Sequence, residues 1–393
     1  MPQYLSPGVY VEEVPSAARP IAGVGTSTAG FIGFVDEDVT MPLQPGSQTQ
    51  RLTITPAGEP TLLTNWEEFK NSFGDGVQAG NKTLAHAVYG FFNNGGTRCW
   101  VLRVATENDL TNLTEELEKF EPIDEIAIVA VPGATTKTQQ DAIIDHCEKM
   151  LDRFAILDGT LNPAALTVDA IRGATTGDSP SQPTKDSEYA ALYFPWLKVF
   201  DPVTNTIVSQ PPSGHIAGVY ARVDGERGVY KAPANEVIRG AVDLERKLSK
   251  ANQDGLNPGG VNVIRAFNGN IKIWGARTLG GDANGDFKYI STRRLFNFLR
   301  ESIEDGTQFA VFEPNSPALW QRITRNVGDF LLGQWRDGAL FGDTAKQAFF
   351  VKCDAETNPS DVRERGQVVT EIGVAIVKPA EFVIFRIQQM TGS

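Results

Sequence analysis

Residues 125–159 read EIAIVAVPGATTKTQQDAIIDHCEKMLDRFAILDG, and this stretch decides the fold class. EIAIVAVPG reads as a strand closed by Pro132-Gly133, TKTQQDAIIDHCEKMLDRF as a helix, and FAILDG as a second strand. Strand, helix and strand in that order build a small parallel α/β layer. Upstream, AGFIGFV (29–35) is an apolar strand interrupted by glycines. RLTITPAGEPTLLTNWEEFKNSFG (51–74) gives a strand and then a helix start, with Asn65 three residues before Glu68 as in a capping box. In KTLAHAVYGFFNNGGTRCWVLRVA, Leu84, Ala85, Val88 and Phe92 share a helical face. Asn93-Asn94-Gly95-Gly96 ends that helix, and Cys99 to Val104 is a buried strand.

Downstream, Asn162 to Ser187 is rich in Thr, Asp, Ser and Pro, as a solvated loop would be, and structure resumes at EYAALYFPWLKVFDP. Three helices are expected after it: Asn235–Ser249 capped by Asn235, Ser291–Gly306 capped by Ser291, and a third from Ser316 to Gly338. On the last, Leu319, Ile323, Val327, Phe330 and Leu331 fall at helical spacing. Two strands have no local partner. SPGVYVEEVPS (6–16) is extended by its β-formers Val9, Tyr10, Val11 and Val14, and the end of KPAEFVIFRIQQM forms a strand from about Phe382 to Gln389. A lone strand leaves its backbone donors and acceptors unpaired, so both are expected to join a sheet elsewhere.

The 393 residues allow two or three domains. The net charge of −12 argues against a nucleic-acid coat. No apolar run reaches the roughly 20 residues of a membrane span, and no Sec-type signal is evident. Cys99, Cys147 and Cys353 are odd in number, far apart and without CxxC spacing, so they read as reduced thiols of a protein made in a cytosol.

Candidate chemistry is sparse. Ser213 and His215 sit together, but the preceding prolines break a nucleophile elbow, and a turn is expected there. Asp282, Asn284 and Asp286 open like a calcium loop, yet Phe287 and Arg293 stand where the loop needs Gly and Glu, so a polar hairpin tip is expected. His86 reads as a packed histidine, and His146 and Cys147 face different directions on a helix. No P-loop or dinucleotide fingerprint is present, so neither an active site nor a cofactor is expected. The helix from Ala318 to Arg336 carries Arg322, Arg325 and Arg336 against Asp329 alone, a basic patch in an acidic body. It is either a solvated helix face or a docking face for an acidic partner.

Several long motifs, in order, carry a resemblance: SPGVYVEEVPS, AVYGFFNNGGTRCWVLRV, YFPWLKVFDP, PPSGHIAGVYARVDGERGVYKAPANE, IKIWGARTL, YISTRRLFNFLRESI, VFEPN and PAEFVIFRI. Together they resemble the sheath proteins of contractile phage tails, R-type tailocins and extracellular contractile injection systems. The resemblance implies a mixed α+β and α/β, multi-domain protomer whose terminal strands reach into neighbouring copies. It implies an arm at 1–27, an outer α/β domain at 28–215, a tube-facing core domain at 216–377 and a strand arm at 378–393. Val9, Tyr10, Val11 and Val14, with Phe382, Val383, Ile384, Phe385 and Ile387, would then form the exchanged strands. Arg322, Arg325 and Arg336 become candidates for contact with an inner tube. The partners implied are further copies in stacked hexameric rings, the tube protein, and baseplate and terminator proteins, with no nucleic acid and no membrane insertion. Assembly would take place in the bacterial cytoplasm. The alternatives are a sheath paralogue at a baseplate or cap, and a cytosolic α/β hydrolase using Ser213 and His215.

Overall fold

The computed structural model describes residues 20–172 and 184–386. The central element is an eight-stranded sheet. Its members are β1 (Ala29–Phe34), β2 (Thr61–Leu63), β3 (Cys99–Val104), β4 (Ile128–Ala130), β5 (Phe154–Asp158), β6 (Ala190–Phe194), β10 (Val261–Phe267) and β11 (Asn270–Ile273). The spatial order is β11-β10-β6-β5-β4-β1-β3-β2. Six strands run parallel, and β2 and β11 add antiparallel edges. Counting helices of eight residues or more, α1 is Trp66–Phe73, α2 Lys82–Asn94, α3 Lys137–Met150, α4 Ser213–Arg227, α5 Ile290–Thr307 and α6 Pro317–Arg336.

Successive side chains of a strand point to opposite faces, and both faces of this sheet are covered. Phe31, Val101, Ile128, Phe154, Ile156 and Tyr193 share one buried cluster with apolar residues of α1, α2 and α4. Ile32, Leu102, Val129, Ala155, Leu157 and Leu192 share a second with Ile143, Ile144 and Cys147 of α3. Double coverage explains the near-continuous apolar runs of the parallel strands. Asn65 caps the first helix, its side chain accepting from the Glu68 backbone N–H at 3.0 Å. The box does not close as expected, because the Glu68 carboxylate accepts from the Thr64 N–H at 2.6 Å rather than from that of Asn65.

Several expectations need correction. Residues 382–386, read as the start of a strand, form none in this chain. Residues 235–249 form no helix: Asn235 and Gly240 both take positive φ, and β9 (Ala241–Leu244) pairs with β7 (Leu197–Asp201). With β8 (Thr206–Gln210) these strands make a three-stranded antiparallel sheet. Residues 212–215 are not a turn but the start of α4, which packs on α2 through glycines. A Cβ on Gly214 would lie 2.4 Å from the Ala87 Cα, and one on Gly218 would lie 2.3 Å from the Phe91 carbonyl oxygen. Ser291 is not an N-cap; it lies inside α5, buried, with its hydroxyl unpartnered. The expected boundary at 215/216 cuts through one compact unit, because β10 and β11 complete the sheet that β1 begins.

The described residues divide instead into a unit of 23–172 and 184–301 with 377–386, and a unit of 20–22 with 302–376. The second contains α6 and a two-stranded antiparallel ribbon, β12 (Phe349–Lys352) with β13 (Glu371–Val374). Leu319, Trp320, Ile323, Val327, Phe330 and Leu331 are the buried stripe of α6, as their spacing predicts.

Candidate assembly surface

Among the described residues the C-terminal segment is held most firmly at Glu381. Glu381 accepts from Arg277 Nε at 2.8 Å and Nη2 at 2.9 Å, from Asn257 Nδ2 at 2.7 Å and from the Tyr289 hydroxyl at 2.9 Å. Arg277 is buried, and its Nη1 also meets Asp282 at 3.1 Å. Burial opposes ionisation of Glu381, but the hydrogen bonds from Arg277, Asn257 and Tyr289 outweigh it and hold the carboxyl below its usual range. Immediately beyond, Phe382, Val383, Ile384 and Phe385 are 69–84 % exposed. Four large apolar residues in a row are an expensive thing to leave in water. Ile387 lies outside the described residues, as do Val9, Tyr10, Val11 and Val14.

The segment that leads back to residues 1–19 is fastened in a similar way. Thr26 donates through Oγ1 to Asp224 Oδ2 at 2.7 Å, and its carbonyl accepts from Arg294 Nη2 at 2.8 Å. Arg294 also holds Asp224 by two bonds of 3.0 and 2.6 Å and stacks over the Tyr220 ring at 4.7 Å. Both Arg294 and Asp224 are buried, α5 supplying the arginine and α4 the carboxylate.

In the smaller unit, Arg325 and Arg336 are exposed on α6, with Asp329 on the same strip. Arg322 is different: its guanidinium lies 4.4 Å from the centroid of the Phe309 ring and 4.0 Å from Glu313, so it is partly committed to its own unit. The β12–β13 ribbon exposes Phe350 and Ile372.

The other candidates are accounted for internally. Ser213 is fully buried and donates its hydroxyl to Asp158 Oδ2 at 2.7 Å, while its N–H donates to Oδ1 at 2.8 Å. Its hydroxyl is therefore committed to a carboxylate at the helix start, not to His215. His215 packs against Gly90, and burial first, then the nearby His86, pushes its pKa down to about 4. Asp282 and Asp286 face Arg277, Lys288 and Lys378 in a 3₁₀ turn rather than a hairpin tip, and Asn284 donates to Thr278 and to backbone carbonyls. Among the described residues no cluster of His, Cys, Asp and Glu could hold a metal. His86 is packed as read, and Cys99, Cys147 and Cys353 are buried free thiols.

The model of the phage tail sheath central domain matches residues 104–279, and that of the sheath C-terminal domain matches residues 282–390. The chain belongs to the phage tail sheath family. It is 31 % identical to a chain of the anti-feeding prophage helical sheath in its contracted state, over 98 % of this chain and 99 % of that one, with a TM-score of 0.75. It is 28 % identical to a chain of the PVC extracellular contractile injection system sheath, also contracted, over 99 % of each, with a TM-score of 0.76. A prophage major tail sheath protein of Pseudomonas aeruginosa is 24 % identical over 97 % of this chain and 95 % of its own length. This sheath protein is thus a structural component of a contractile phage tail or injection-system particle.

The sequence singled out the apolar run Phe382–Phe385, which is exposed but forms no strand in this chain, and the basic helix. It missed Arg277, Glu381, Arg294 and Asp224, because nothing in their spacing links residues so far apart in the chain.

Proposed function

We propose that this sheath protein assembles with further copies into stacked hexameric rings around an inner tube, joined by exchange of the strands at Val9–Val14 and Phe382–Ile387. The observation that carries this reading is the run Phe382–Phe385, exposed directly after a firmly held Glu381. An exposed apolar segment gains a ladder of backbone bonds and buried area by joining an open sheet edge. The β12–β13 ribbon offers such edges, and a two-stranded ribbon is marginal on its own. Head-to-tail donation makes a heterologous contact, which closes into rings or runs on as a helix. In this reading the unit containing 302–376 faces the tube through Arg325 and Arg336, with Arg322 supporting them. Contraction repacks the bodies while the strands stay engaged, and packing energy held in a metastable extended form drives the tube. The protein needs no nucleotide, cofactor or catalytic residue for this, and it takes baseplate and terminator proteins as end partners. Assembly precedes release, in the bacterial cytoplasm.

The test is Ile384→Pro, which removes a ladder donor and fixes φ within the strand, against Gln389→Pro at the strand's outer end. In a tube-dependent sedimentation assay Ile384→Pro should lose sheath and Gln389→Pro should keep it; equal assembly by both overturns the strand exchange. A chain lacking residues 1–20 should likewise fold yet form no long sheath. A second reading is a sheath paralogue confined to the baseplate, favoured by 30 % identity and a TM-score of 0.74 to a chain of the anti-feeding prophage baseplate. Polymerisation along the full tube would exclude it. For the hydrolase reading, Ser213→Ala unaltered in an esterase screen removes the remaining case.

A further inference from the structure

The C-terminal segment is gripped at a fixed residue by an arginine of the larger unit. At Glu381 a carboxylate takes two parallel bonds from Arg277 and one each from Asn257 and Tyr289, and the next four residues stand in solvent. We propose that Arg277 is a positioning residue for strand exchange: it fixes the residue at which the C-terminal arm starts, and so the length and register with which it reaches a neighbouring copy. This rests on the strand-exchange reading.

The physical reason is the period of a strand. A slip of one residue turns every side chain to the opposite face, so a donated strand must start at a defined point. If Glu381 is released, the next side-chain tie of the segment to the same unit is Lys378 with Asp286, 3.3 Å apart between two exposed side chains. Such a pair contributes little. Three more residues would come free, adding about 10 Å of reach at ~3.3 Å per residue. A longer and looser tether lowers the effective concentration of the strand at its acceptor. The bidentate arginine–carboxylate geometry suits an anchor, because it fixes direction as well as distance.

The experiment uses particles assembled with tube and baseplate, scored by negative-stain microscopy for tubes fully covered, with the melting temperature of the purified subunit measured in parallel. Glu381→Gln keeps the shape of the side chain and removes its charge. It should leave subunit melting within about 2 °C of wild type, as expected for a change at the edge of a large unit. It should also lower the covered fraction, by up to about twofold through the longer tether. Should it melt early, Tyr289→Phe, which removes one donor to Glu381 and no charge, takes its place. A chain lacking 382–393 is the control that separates the two ideas. If it fails to assemble while Glu381→Gln covers tubes normally, the anchor is refuted and strand exchange stands. If the truncated chain itself covers tubes normally, strand exchange is wrong and the anchor with it.

Discussion

The Phe350 ring covers Gly373, its antiparallel partner across the β12–β13 ribbon, so closely that a Cβ at 373 would lie 2.1 Å from the ring's Cε1. The ring is itself exposed, so it can swing away when the glycine is replaced. Gly373→Val should therefore lower subunit stability by only about 1 kcal/mol, in the range of a strand-face substitution. It would still remove the ring from the face it covers. Sheath yield should fall far more than the urea midpoint does; a loss of both in proportion would mean that the ribbon matters only for folding.

Asp224 and Arg294 make the sharpest stability prediction. Asp224→Ala leaves a fully buried guanidinium without its carboxylate, which costs about 3–5 kcal/mol. A drop of roughly 10 °C in melting temperature corresponds to that cost. Replacing both, Asp224→Ala with Arg294→Met, should recover part of the loss, because the stranded charge is gone. A double variant no better than the single one would show that packing, not charge, sets the penalty.

Acid should weaken the larger unit through two histidines. Burial, reinforced by Arg153 at His146 and by His86 at His215, brings both to about pH 4, whereas unfolded imidazoles protonate near ~6.5. Between these values the unfolded chain binds the extra protons, so each histidine removes about 3 kcal/mol on acidification to pH 4. Asp158 acts in the opposite sense. Burial, against hydrogen bonds from Gly133 and Ser213, raises it to about 6, so the folded chain takes up its proton first and regains about 3 kcal/mol over the same range. Urea unfolding at neutral pH and near pH ~4.5 should show His146→Gln losing less stability on acidification than wild type, and Asp158→Asn losing more. Identical pH slopes for wild type and both variants would contradict the assignment.

On α6 the informative substitutions are Arg325→Glu and Arg336→Glu, since Arg322 also packs on Phe309. Reversing two exposed charges should move the subunit's melting temperature by no more than about 1–2 °C. Association with the tube should weaken, most visibly at low ionic strength where screening is least. Unchanged co-sedimentation at low salt would remove α6 from the tube interface.

The parallel layer was legible because β4, α3 and β5 are local, and a doubly covered strand announces itself as an apolar run. The stop at Gly95 was legible for the same reason: its positive φ is a local demand. Residues 235–249 misled because Glu, Arg, Lys and Leu favour a helix in isolation, while the pairing of Leu244 with Leu197 is a tertiary gain that local propensity does not show. The unit boundary was hidden likewise. Val261 pairs with Leu192 across an intervening sheet, two helical segments and several turns. The anchor at Glu381 is the extreme case, with Arg277 and Glu381 lying 104 residues apart in the chain.

The strand order carries a consequence for synthesis on the ribosome. β10 and β11, the last strands of the eight-stranded sheet, must emerge before that sheet can close, and α5, α6 and the ribbon emerge later still. A pairing pattern with partners this distant in the chain folds slowly, since its loops must be closed before their contacts form. The β12–β13 ribbon of residues 349–374 cannot form before every strand of the eight-stranded sheet has been translated. The smaller unit is therefore completed on a chain whose larger sheet is already whole in sequence.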